Sequence, residues 1–166
     1  MKRFVLAAAI ASILPAAAHA VCATQIESQA MNLHALKSSL MVAALSCGQQ
    51  AEYNAFIQKN KPLYTTDSAQ VRTYFSRAYG SGAEYQMNRF ITKLANDAST
   101  SSMGQQSDAY CAAMKDSFRS ISSLSRDGVK QLASGAQYAS LHGIHTCDTG
   151  AGSAKLAMNS GPRSTK

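Results

Sequence analysis

Residues 22–48 read CATQIESQAMNLHALKSSLMVAALSCG, and this stretch decides the fold. Ile26, Ala30, Leu33, Leu36, Leu40 and Ala44 recur at spacings of three and four, with Gln29, Lys37 and Ser38 between them. That period places the apolar side chains on one face of a helix, predicted from about Thr24 to Leu45. Cys47-Gly48 ends it, because glycine takes the left-handed conformation that follows a helix at no steric cost. His34 stands alone on a polar part of this helix and reads as exposed.

The same period continues outward. A second helix is predicted from about Gln49 to Lys59, burying Tyr53, Phe56 and Ile57. Lys61-Pro62 stops it, since a residue before proline avoids the helical region. Thr65-Thr66-Asp67-Ser68 offers capping side chains for a third helix over about Ser68 to Tyr79, with Val71, Tyr74, Phe75 and Ala78 inward. Gly80-Ser81-Gly82 reads as a turn. A fourth helix follows from about Ala83 to Ala98, carrying Met87, Phe90, Ile91 and Leu94, and Ser99 to Gly104 reads as a polar linker. A fifth spans about Gln105 to Leu124, with Tyr110, Met114, Phe118 and Ile121. A sixth, from about Val129 to Leu141, is weakened by Gly135 inside it. Sustained alternation and hairpin turns are missing. The expectation is an all-α domain, a compact irregular bundle of five or six short helices. Eight of the eleven aromatic residues after residue 20 lie between Tyr53 and Phe90, which predicts the densest core in the three central helices.

At the start of the chain, Lys2 and Arg3 precede an apolar run from Phe4 to Leu14, then Pro15 and Ala18-His19-Ala20. A basic start, a short apolar run and small residues two apart have the layout of a secretory signal peptide, cleaved near Ala20-Val21. The apolar run is shorter than the roughly 20 residues a spanning helix needs, and no later stretch approaches that length. The expected division is a signal peptide over 1–20, a helical domain over 21–148 and a disordered basic tail over 149–166. Export implies a periplasmic or secreted protein with no transmembrane span in the mature chain. Cys22, Cys47, Cys111 and Cys147 then read as two disulfides. The first helix, at roughly 22 residues, spans on the order of 33 Å. A disulfide holds its Cα atoms about 6 Å apart. Cys22–Cys47, and with it Cys111–Cys147, is therefore disfavoured. Cys22–Cys147 with Cys47–Cys111 and Cys22–Cys111 with Cys47–Cys147 remain, and the first is preferred because it joins the chain ends.

The chain holds 16 basic and 9 acidic residues, a net charge of +7. Removing Lys2 and Arg3 leaves 14 and 9, or +5; residues 21–147 alone carry 11 and 8, or +3. That excess serves solubility and a weak attraction to anionic surfaces, and no cluster of cations argues for nucleic acid. The sharpest local motif is His142-Gly143-Ile144-His145-Thr146-Cys147, followed by Asp148. Imidazole, thiolate and carboxylate are the ligands of zinc and copper. A disulfide removes the thiolate, so no metal is expected, and His142 and His145 are the residues a metal would use. The six methionines after residue 20 are scattered and read as core filling. No C-x-x-C, C-x-x-C-H, G-x-S-x-G, H-E-x-x-H or P-loop occurs, so redox, haem, hydrolase and nucleotide chemistries lack their signatures. His145-Thr146-Cys147-Asp148 has the letters of the secreted phospholipase motif C-x-x-H-D in the wrong order.

Leu40 to Gln49, Tyr53-Asn54-Ala55-Phe56, Tyr74-Phe75, Leu94-Ala95-Asn96 and Tyr110-Cys111 together resemble a set of small exported helical proteins of Gram-negative, α-proteobacterial type. The likeness covers residues 22 to 115. It implies a periplasmic setting and brings no activity, cofactor or catalytic residue. The expected function is non-enzymatic, through contacts with a periplasmic or envelope protein by way of the basic tail and uncovered aromatics, with no cofactor. A small disulfide-bonded stress chaperone that exposes apolar surface in acid is one alternative, and a cell-wall or lipid hydrolase is another.

Overall fold

The computed structural model describes residues 21–104 and 107–147. The leader read over 1–20, the tail read over 149–166 and Asp148 lie outside the described residues. Helix α1, Gln25–Cys47, begins at a reciprocal cap. Thr24 Oγ1 accepts from the Glu27 N–H at 3.3 Å, and Glu27 Oε2 accepts from the Thr24 N–H at 2.7 Å. It ends at Gly48, whose φ of 68° only glycine adopts without strain.

The first helix is not one-sided. Fourteen of its 23 residues are buried, among them Met31, Ala35, Val42 and Ala43 outside the predicted stripe. A helix buried nearly all round must sit at the centre of its domain. Every other α-helix packs against it: α2 (Gln50–Lys59), α3 (Lys61–Tyr79), α4 (Ala83–Met103), α5 (Ser107–Ser123), α6 (Arg126–Ala133) and α7 (Ala136–His142). A 3-10 turn, Gly80–Gly82, joins α3 to α4. The C-terminal half of α1 meets Phe56, Leu63, Phe118, Ile121 and Val129. Its N-terminal half meets Val71, Tyr74, Phe75, Phe90 and Leu94. The core is thus organised by α1 rather than by the aromatic-rich central helices, whose Tyr79 and Tyr85 are exposed.

The result is an all-α bundle carrying two disulfides, Cys22–Cys147 and Cys47–Cys111, with Cα separations of 4.9 and 5.3 Å. No helix among the described residues is long and apolar enough to cross a membrane. Three boundaries differ from expectation. Helix α3 starts at Lys61, because Pro62 falls in its first turn, where a missing N–H costs nothing. Thr65 and Thr66 are inside the helix and donate to the carbonyls four residues back. Helix α4 runs through the polar stretch to Met103, its Thr100 hydroxyl bonded to the Asn96 carbonyl at 3.0 Å. The sixth helix is split at Gly135, whose extended backbone (ψ 142°) starts α7.

Candidate functional site

Beyond α7 the chain returns to the start of α1. The Ala23 N–H donates to the His145 carbonyl at 2.9 Å, and the Cys147 N–H donates to the Ala23 carbonyl at 2.8 Å. The Cys22–Cys147 disulfide closes the same point. Ser28 and Asn32, four apart on α1, face this strap. Thr146 Oγ1 donates to Ser28 Oγ at 2.9 Å, and His142 Nε2 lies 2.8 Å from Asn32 Oδ1. His142 Nδ1 accepts the Ile144 N–H at 3.0 Å, so its proton must sit on Nε2. The ring is therefore neutral and both nitrogens are used. Burial, with Lys93 adding to it, holds its pKa below the ordinary value.

The two histidines of the sequence motif are not brought together as ligands. His142 is buried against Asn32, His145 is exposed, and Cys147 is in a disulfide. Among the described residues no three His, Cys, Asp or Glu side chains form a metal-binding group.

His34 departs from expectation. It is buried on α1, with Nε2 3.4 Å from Ser68 Oγ and the Tyr64 ring edge-on at 6.4 Å. Burial first, and Lys37 second, lower its pKa to about 4. A hydroxyl beside an imidazole has the outline of a nucleophile and base, but a base that weak is a poor proton acceptor near neutrality. The signal was in α1 itself, since Met31, Ala35 and Val42 carry its apolar surface well beyond one stripe and leave little exposed face.

The start of α1 is pinned from α3. Arg77 contacts Glu27 Oε2 at 2.5 Å and the Cys22 carbonyl at 3.2 Å, and Tyr74 donates to the Val21 carbonyl at 3.1 Å.

The surface around α5 is open. A trough of about 830 Å³ lies between α1 and helices α5 to α7, floored by Leu36, Leu40, Ile121, Leu124, Tyr138 and Leu141. Asp116 is the only charged residue on its lining. On the other side of α5 a cleft of about 350 Å³ separates that helix from α2. The Cys47–Cys111 disulfide ties the end of α1, just before α2, to the second turn of α5. At the ends of α2 and α5, Lys59 Nζ donates to the Ser122 and Leu124 carbonyls at 2.6 and 2.8 Å, capping α5. Both recesses fall in the size range of small-molecule sites. No family model, curated protein or solved structure matches the chain.

Proposed function

We propose that this is an exported, non-enzymatic protein that works by contact with a periplasmic or envelope protein, through the surface around α5. The trough is the observation that carries the reading. Its floor is apolar, four leucines and an isoleucine with Tyr138, its rim is mostly serine hydroxyls with one carboxylate, and no imidazole or lysine is there to act as base or nucleophile activator. An open apolar floor with a polar rim is the composition of a contact surface. Two disulfides suit an oxidising compartment, and the leader-like residues 2–20 support export. The test is retention of a partner from the periplasmic and envelope fraction on the oxidised protein. Leu132 lines the trough and is 37% exposed. Leu132→Glu should lose that partner while the fold is kept. Equal retention by the variant contradicts the reading.

A second reading, an acid-responsive chaperone, is favoured by one observation: His34, on α1 against α3, and His142, against α1, are both buried as neutral rings. Each has a folded pKa below its unfolded value, so the unfolded chain takes up protons first as pH falls. Stability is whole above about pH 6.5 and declines toward the folded pKa values. Asp67 opposes the trend, because burial raises its pKa, and Lys130 only partly offsets that. Binding of an apolar dye and protection of a client on acidification would support this reading. A protein unchanged between neutral and strongly acid solution would end it.

A further inference from the structure

Of the two recesses beside α5, the cleft shared with α2 differs in charge. Lys59, Lys115 and Arg119 line it with a single acid, Glu52, a net of two positive charges. Phe56 and Phe118, both almost fully buried, form its apolar floor. Lys59 is committed to the carbonyls at the end of α5, and Arg119 shares an exposed contact with Asp116 at 2.8 Å. Lys115 makes no hydrogen bond or ion pair to any described residue.

Gln49 supplies a separate observation. It opens α2, lines the same cleft and is only 9% exposed, yet its side chain makes no capping hydrogen bond. Its Oε1 is buried with no hydrogen-bond partner. A buried amide oxygen without a donor is costly and points to a partner the protein itself does not supply. A half-turn of the amide exchanges oxygen for N–H, so Gln49 can meet either an acceptor or a donor on a ligand.

We propose that the cleft between α2 and α5 binds a small amphipathic carboxylate, with its apolar body over Phe56 and Phe118 and its head against Lys115, Arg119 and Gln49. Size, floor and charge each select part of this description. The volume takes one small molecule and not a folded segment. The aromatic floor selects an apolar body, and the unpaired lysine selects an anion over an alcohol or a cation. The inference stands apart from the contact reading, which rests on the trough across α5.

Calorimetric titration of the oxidised full chain with decanoate, near neutral pH and low salt, tests it. Saturable binding of one decanoate per chain is expected, with decan-1-ol and decyltrimethylammonium at least about tenfold weaker. Lys115→Glu should weaken decanoate by about tenfold or more, and Ala55→Trp, on the exposed lining, should abolish binding by filling the cleft. Neither position is in the core. Amide shifts of the wild-type protein give a second readout, expected on α2 and α5 and absent from residues 142–147. Phosphatidylglycerol vesicles, which present an anionic surface without a free chain, should not compete. Any one of four results overturns the proposal: no saturable binding, equal affinity for the alcohol, affinity unchanged in both variants, or binding to vesicles in place of decanoate.

Discussion

Helices α1 and α5 are both long and opposite in setting. Fourteen of 23 residues are buried in α1, against Phe118 and Ile121 alone among the 17 of α5. Four of the five buried polar residues of α1 meet partners on other elements: Ser28 with Thr146, Asn32 with His142, Glu27 with Arg77 and His34 with Ser68. Around α2 and α3 the buried Gln49 Oε1, Asn60 Oδ1, Tyr64 hydroxyl and Asp67 Oδ2 have no partner. Helix α5 has a recess on each flank. The difference separates two tasks. One end of the molecule is built to hold, with its polar atoms used internally. The other is fixed at two points, Cys111 and Lys59, and leaves apolar surface and the Gln49 side chain lining recesses beside α5.

Removing the closure should break the holding end first. Replacing both Cys22 and Cys147 by serine opens a link across 125 residues and should cost about 4 kcal/mol, read from urea unfolding. The corresponding change at Cys47 and Cys111, which spans 64 residues, should loosen α5 more than α1 in amide hydrogen exchange. Equal loosening of both helices would erase the distinction between the ends.

Acid is the next largest perturbation. The folded pKa of His34 is lowered to about 4, below its unfolded value of 6.5. The folded chain therefore resists a proton that the unfolded chain accepts, and stability is lost as pH falls through that interval. The full loss is about 3 kcal/mol once both states are protonated. His34→Leu should flatten this part of the stability–pH curve, and a curve identical to wild type would contradict the burial argument.

Asn32→Leu leaves the His142 Nε2 proton buried without an acceptor and should cost about 2 kcal/mol, partly recovered in the double variant with His142→Leu. Lys59→Met removes the charge that caps α5 and should cost about 1 kcal/mol, with faster exchange confined to the last turn of α5.

The helical class was legible in the sequence because one period, three and four, runs through nearly every segment, and Gly48 marked the end of α1 correctly. The setting of α1 was written there too, in Met31, Ala35, Val42 and Ala43 outside the main stripe, although a one-face reading passes over them and leaves His34 in solvent. Pro62 was ambiguous for a physical reason: proline disfavours a helix before it and suits the first turn after it, and only the close joining of α2 to α3 decides. The Ser-rich end of α4 was misleading because hydroxyls that bond back to the preceding turn remove their own polarity from the surface. The cleft and the trough were not legible at all. They exist because of how α5 lies against α2 and α1, and no local pattern in the sequence encodes the gap between two helices.

On the proposed reading the flanks of α5 carry the binding and the strap over α1 does not. Photo-activated crosslinking in the oxidising compartment tests it most directly, with the reactive residue placed in turn at Ser117, Leu132, Gln29 and His145, all exposed. A discrete crosslinked product is expected from Ser117 and Leu132, and none from Gln29 or His145. Products from Gln29 or His145 alone, or the same product from all four positions, would contradict it.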